Sequence, residues 1–74
     1  MDEKQYHKDL GARLKKARRN KELSQEFMAE RLGVSFQQVQ KYESGSNRIS
    51  PYKLIQWGKI TGVGVMTLMG VDRV

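Results

Sequence analysis

One punctuation mark recurs along this chain and limits what it can become. Ser24 stands before a run of helical periodicity, with Leu23 ahead of it and Met28 at the fourth position inside. Ser35 repeats the arrangement with Val34 and Val39, and Ser50 repeats it with Ile49 and Leu54. Gly64, a weaker cap, sits between Val63 and Leu68 in the same register. A serine hydroxyl at such a point accepts from an orphaned backbone N–H, and the flanking apolar pair staples the entering chain. Pro51 falls at a first helical position, where its missing N–H has no intrahelical partner to lose. Gln38 adds the reciprocal half of a capping box to the Ser35 start. The stops agree, because Gly33, Gly45 and Gly62 each follow an apolar-periodic run, where a left-handed residue ends a helix cheaply. Leu10, Leu14 and Ala17 mark one further apolar stripe upstream. The pattern predicts five short helices, at about 7–20, 24–32, 35–44, 50–61 and 64–69, and no strands. The expected class is all-α, in a single domain over 1–74 with its core at 10–69 and flexible tails at 1–7 and 70–74.

Size and charge narrow the chemistry. A chain of 74 residues is near the lower limit for unaided folding, and with no cysteine it has no disulfide, zinc thiolate or Cys nucleophile. The charged start Met1-Asp2-Glu3-Lys4 does not read as a signal peptide, and the apolar-rich stretch from Val63 to Val71 is too short to span a bilayer. A cytoplasmic, nucleoid-associated protein with no membrane partner is expected. Fourteen Lys and Arg against eight Asp and Glu leave a net charge of +6, and six of those cations crowd between Arg13 and Lys21 with no acid among them. Such an excess fits an anionic partner, nucleic acid above all, and equally fits a solvated helix face.

The second and third predicted helices are joined only through Leu32-Gly33-Val34, which forces a sharp angle between them. This is a helix-turn-helix, a unit that lays its second helix in a DNA major groove. With Val39 set inward and about 100° per residue, Ser35, Val39, Tyr42 and Glu43 cluster on the buried side. Gln37, Gln40, Lys41 and Ser44 point outward, with Phe36 and Gln38 on the flanks. The outward face carries amides and an ammonium but no acid, unlike the mixed Glu26, Glu30 and Arg31 of the preceding helix. Gln can pair with adenine, Lys can donate to guanine, and Phe can touch a thymine methyl.

Leu23-Ser24-Gln25-Glu26, Ala29-Glu30-Arg31-Leu32-Gly33-Val34-Ser35, and Val39 through Tyr42-Glu43-Ser44-Gly45 resemble the Cro/C1-type helix-turn-helix family, the phage-repressor-like and XRE-type transcription regulators. The likeness runs from about Leu10 to Met69. It implies a compact five-helix bundle of the lambda-repressor-like type with a central helix-turn-helix. Carried over by position, it implies that Phe36, Gln37 and Lys41 face base edges. It places Gln25, Gln40, Ser44, Ser46 and Asn47 beside the DNA backbone, with Arg13 as a further candidate there. Arg18 and Glu43 match an internal ion pair between the first and third helices. Five departures stand out. Phe36 occupies a position where relatives carry a polar base reader. Phe27 stands where Glu is common, and is expected to be exposed against another surface. Gly58 and Thr61 weaken the fourth helix and its apolar face. Together with the weak cap Gly64 they suggest a less rigid carboxyl-terminal third.

No cofactor or metal site is expected. His7 is the only histidine, and with Asp2 and Glu3 it lacks the second imidazole of a usual zinc set. Ser24 and Ser35 have no base and already serve as caps, so the chain is not read as an enzyme. Leu54 and Trp57 read as core, and Tyr52 as an exposed ring. Met66, Leu68, Met69, Val71 and Val74 offer more apolar surface than one small helix hides. They read either as core or, for Met66, Met69 and Val71, as a dimer contact. The expected function is a bacterial or phage DNA-binding regulator of transcription, a repressor reading a palindromic operator as a homodimer. The alternative is a protein-interaction module, an antitoxin or an adaptor to the transcription machinery, on the same fold.

Overall fold

The computed structural model describes residues 2–71. Its elements are α1 (Glu3–Asn20), α2 (Gln25–Leu32), α3 (Phe36–Ser44), α4 (Pro51–Thr61) and α5 (Val65–Met69), with no strand among the described residues. The serine caps form as the sequence predicts: Ser24 Oγ accepts from Phe27 N, Ser35 Oγ from Gln38 N and Ser50 Oγ from Lys53 N, at 3.0, 3.0 and 3.2 Å. Gly64 caps α5 with no side-chain bond. The capping box does not close, because the Gln38 amide oxygen turns to Asn47 Nδ2 at 3.4 Å.

Two boundaries move. Helix α1 begins at Glu3, capped by Asp2, whose Oδ1 accepts from Gln5 N at 2.7 Å, so residues 3–7 of the expected tail are helical. Aspartate at an N-terminus also suits the helix dipole, a signal that the stapled-serine pattern passes over. At the other end Gly70 closes α5 in the left-handed conformation, and Val71 N donates back to Met66 O at 3.0 Å, so this part of the expected tail is a helix stop. Val74 lies outside the described residues.

The core draws on every helix. Leu10, Leu14 and Ala17 of α1 meet Met28, Ala29 and Leu32 of α2, Val39 and Tyr42 of α3, Leu54 and Trp57 of α4, and Leu68 of α5. Trp57 is fully buried, and its indole N–H donates across to Leu14 O at 3.1 Å, so its one polar atom is satisfied. Thr61 sits in the core without penalty because its hydroxyl donates to Trp57 O at 2.8 Å.

Glycine placement corrects one expectation. Gly58 is not a soft spot in α4: a Cβ there would meet Val63 O at 2.7 Å, so the missing side chain lets the chain fold back closely after the helix. Gly11 does the same between helices, since its Cβ would lie 2.6 Å from both Tyr42 O and Glu43 O. The end of α3 therefore rests directly on the backbone of α1. Alanine at Gly11 or Gly58 will destabilise the fold by about 1–3 kcal/mol, against the helix propensity that favours it. Gly64→Ser, which meets only Thr67 Oγ1 at 3.9 Å and supplies a cap hydroxyl, will gain a few tenths of a kcal/mol. Urea denaturation of the three variants checks both signs.

Candidate nucleic-acid interface

Helices α2 and α3 are separated by Gly33, Val34 and Ser35 alone. Gly33 takes φ 71°, and with no atom within 4 Å of a Cβ at this site, glycine is present for its backbone freedom and not for space. Val34 N donates to Ala29 O at 3.0 Å and Gly33 N to Glu30 O at 3.3 Å, which turns the chain sharply into the Ser35 cap.

The faces of α3 divide as the helical wheel predicts. Val39, Tyr42 and Glu43 are buried, Phe36 and Gln38 are half-buried, and Gln37, Gln40, Lys41 and Ser44 are exposed. Ser35 departs from the wheel: as a cap outside the helix, it is exposed. Burial pushes the Tyr42 phenol above its ordinary range, so the ring enters the core as a neutral group.

A buried ion pair sets the orientation of α3. Arg18 Nε donates to Glu43 Oε2 at 2.6 Å and Arg18 Nη2 to Glu43 Oε1 at 3.1 Å, a two-pronged geometry between α1 and α3. The third guanidinium nitrogen, Nη1, donates to Leu23 O at 2.7 Å, which fixes the chain just ahead of α2. Gln25, the first residue of α2, completes the set, its Nε2 donating to Glu43 Oε1 at 2.9 Å. Arg18 and Glu43 thus form the internal pair that the family likeness implies. The amide nitrogen of Gln25 is committed to the same carboxylate.

The other backbone candidates gather at the far end of α3. Ser44 Oγ donates to Lys41 O at 3.2 Å and lies 3.0 Å from Ser46 Oγ, while Asn47 N donates to Lys41 O at 3.2 Å. Gln38, which sequence reasoning left on a flank, ties this turn back to the helix through Asn47. The structure thus brings Gln37, Gln40, Lys41, Ser44, Ser46 and Asn47 together on α3 and the turn that follows it.

Arg13 is not with them. Its Nε donates to Leu68 O at 2.6 Å and its Nη2 to Met69 O at 3.0 Å, so its guanidinium caps the end of α5. Carbonyls freed at a helix end are strong acceptors for a cation, and two of the Arg13 guanidinium nitrogens are taken up by them, away from the outward face of α3. Tyr6 joins it, donating from its hydroxyl to Met69 O at 2.9 Å. Phe27 is likewise corrected: it is half-buried against the core, and the Arg31 guanidinium lies 5.3 Å above its ring. The apolar surplus at the carboxyl end divides, with Leu68 buried, Met69 half-buried, and Met66 and Val71 open at 55% and 48% exposure. Tyr52 is exposed, as expected.

Sequence reasoning missed Gly11 and read Gly45 only as a helix stop, yet both set how closely α3 lies on α1. A Cβ at Gly45 would sit 2.7 Å from both His7 O and Lys8 Cα. A lone glycine inside an amphipathic helical run was the available signal for Gly11, since it weakens the helix and so asks for a packing reason. Among the described residues, no group of His, Asp and Glu could hold a metal, and no helix is long and apolar enough to cross a membrane.

This geometry, two short helices around a glycine turn with an outward amide and lysine face, defines a helix-turn-helix domain. A family model described as helix-turn-helix matches residues 14–68, and the chain belongs to that family, in its Cro/C1 type. Membership agrees with the non-enzymatic reading. The chain is similar to a transcriptional regulator in the ATPase CF(0) region of Rhodospirillum rubrum, 45% identical over 81% of this chain and 57% of that protein. It is also similar to an HTH-type transcriptional regulator of Sinorhizobium fredii, 49% identical over 64% of this chain and 33% of that protein. The chain thus spans about half the length, or less, of these relatives. Among solved structures it is similar to the restriction-modification controller protein C.AhdI from Aeromonas hydrophila. That match has a TM-score of 0.75 and 26% identity, and covers 82% of this chain and 92% of that one.

Removing one partner of the buried pair, as in Arg18→Ala or Glu43→Ala, will cost about 3–5 kcal/mol, because the other charge is left without its counter-charge. Replacing both with apolar residues (Arg18→Met with Glu43→Leu) will recover most of that loss. A double-mutant cycle by chemical denaturation measures the coupling.

Proposed function

We propose that this chain is a sequence-specific DNA-binding regulator of transcription that inserts α3 into the major groove. The observation that carries the proposal is the outward face of α3, where Gln37, Gln40 and Lys41 are exposed together and no acid stands among them. Gln37 and Lys41 read base edges, and Phe36, only half-buried at the start of the helix, touches a thymine methyl. Gln40, Ser44, Ser46 and Asn47 lie beside the phosphates. Gln25 serves both sides: its amide nitrogen steadies Glu43, and its place at the start of α2 offers backbone N–H groups to a phosphate.

The finer reading is a repressor acting in the cytoplasm, at the nucleoid, on a palindromic operator. Two copies would pair through Met66, Met69 and Val71, with half-sites one helical turn, ~34–36 Å, apart. The names of its relatives and its family support the regulatory role. The interaction-module alternative loses ground at Phe27, whose ring is partly taken up by the core and by Arg31.

Selection from a random duplex pool tests the proposal. Recovery of a symmetric consensus is expected, and equal affinity for selected and random duplex would sink it. On the selected site, Gln37→Ala and Lys41→Ala will each erode discrimination against single-base changes by about 1–3 kcal/mol. Affinity for every duplex will fall steeply with added salt, as counterions are released.

A further inference from the structure

Where the end of α3 rests on the first turns of α1, a shallow cleft opens, lined by Glu3, Lys4, His7, Gly45, Ser46 and Arg48. The α1 side of this cleft lies ahead of the family match at residues 14–68. Its charged side chains are cationic except for one. Glu3 Oε2 stands 2.8 Å from Arg48 Nη2 and 3.6 Å from His7 Nε2. The neighbouring carboxylate of Asp2 is turned away to cap α1.

The Glu3–Arg48 pair contributes little to stability, since its side chains are 62% and 69% exposed, and exposed pairs of this kind are weak. It is correspondingly easy to exchange. A phosphodiester offers an arginine the same charge and the same paired oxygen acceptors as a carboxylate. Arg48 also follows directly after Ser46 and Asn47, in the turn that Asn47 N fastens to Lys41 O. It therefore stands beside the segment that the proposed DNA complex sets against the backbone.

We propose that Glu3 is a built-in counter-ion for Arg48, and that on binding Arg48 exchanges this carboxylate for a DNA backbone phosphate. The inference rests on the DNA-binding reading. Glu3 holds the guanidinium in the free protein and weakens attachment to DNA at large, so the net benefit of Arg48 is smaller than that of an unopposed arginine. No bond is made or broken; one anion replaces another.

The test is fluorescence anisotropy on the selected duplex across a salt series, with Glu3→Gln, Arg48→Gln, the double variant, and Asp9→Asn as a control of equal charge change elsewhere on α1. Circular dichroism checks that each variant keeps its helices. Arg48→Gln is expected to weaken binding several-fold and to lower the salt slope by about one. Glu3→Gln is expected to strengthen binding several-fold, well beyond Asp9→Asn. In the Arg48→Gln background its effect should shrink to that of the control. An equal gain from Glu3→Gln with and without Arg48 would show a general charge effect and overturn the exchange, while the DNA-binding reading stands. Failure of the unaltered chain to bind any duplex would overturn both.

Discussion

The Arg18–Glu43 pair is the joint on which the rest of this molecule depends. A bare carboxylate in so small a core would be ruinous, yet Glu43 is buried at the end of the helix that faces outward to function. What makes it tolerable is complete partnering: two guanidinium contacts, an amide from Gln25, and a carbonyl to occupy the remaining guanidinium nitrogen. The same bonds reach α1, the approach to α2, the first residue of α2, and α3. A purely apolar contact could supply as much stability, but it would slide. Directional bonds fix an angle, and an angle is what a reading helix needs.

Backbone contact supplies the second restraint. Gly11 and Gly45 let the end of α3 lie on α1 with no side chain between them, so the height of α3 above the scaffold is set by main-chain atoms. Long polar side chains on the outer face can then be mobile while their Cα positions are not. Positions of this kind, held by a rigid frame, lower the ordering cost of recognition.

Much of this was legible in the sequence, for reasons that can be named. Caps, staples and stopping glycines are local, and each depends on a few adjacent residues, so Ser24, Ser35, Ser50, Gly33, Gly45 and Gly62 declared themselves. The inward and outward sides of α3 followed from one period. What stayed hidden was non-local. Nothing near Arg13 in the chain says that its partners are Leu68 O and Met69 O, more than fifty residues away. Nor can propensity distinguish a glycine that weakens a helix from one, like Gly58, that another stretch of backbone must touch. The start of α1 was missed for a simpler reason: its cap is an aspartate, Asp2, and the recurring signal being followed was a serine. Phe27 was placed by likeness to relatives, and its own ring found a half-buried seat.

The grip of α1 on α5 has a consequence for any paired form. Tyr6 and Arg13 fasten the last carbonyls of α5 to α1, and Arg18, further along the same rod, fastens α3. No loop intervenes between the two attachments. If copies join through Met66 and Val71, the gap between their reading heads is then dictated by a stiff gauge and not by a tether. Such a gauge accepts one phasing of the duplex, and inserting a single base pair at the centre of a site would rotate one half out of reach.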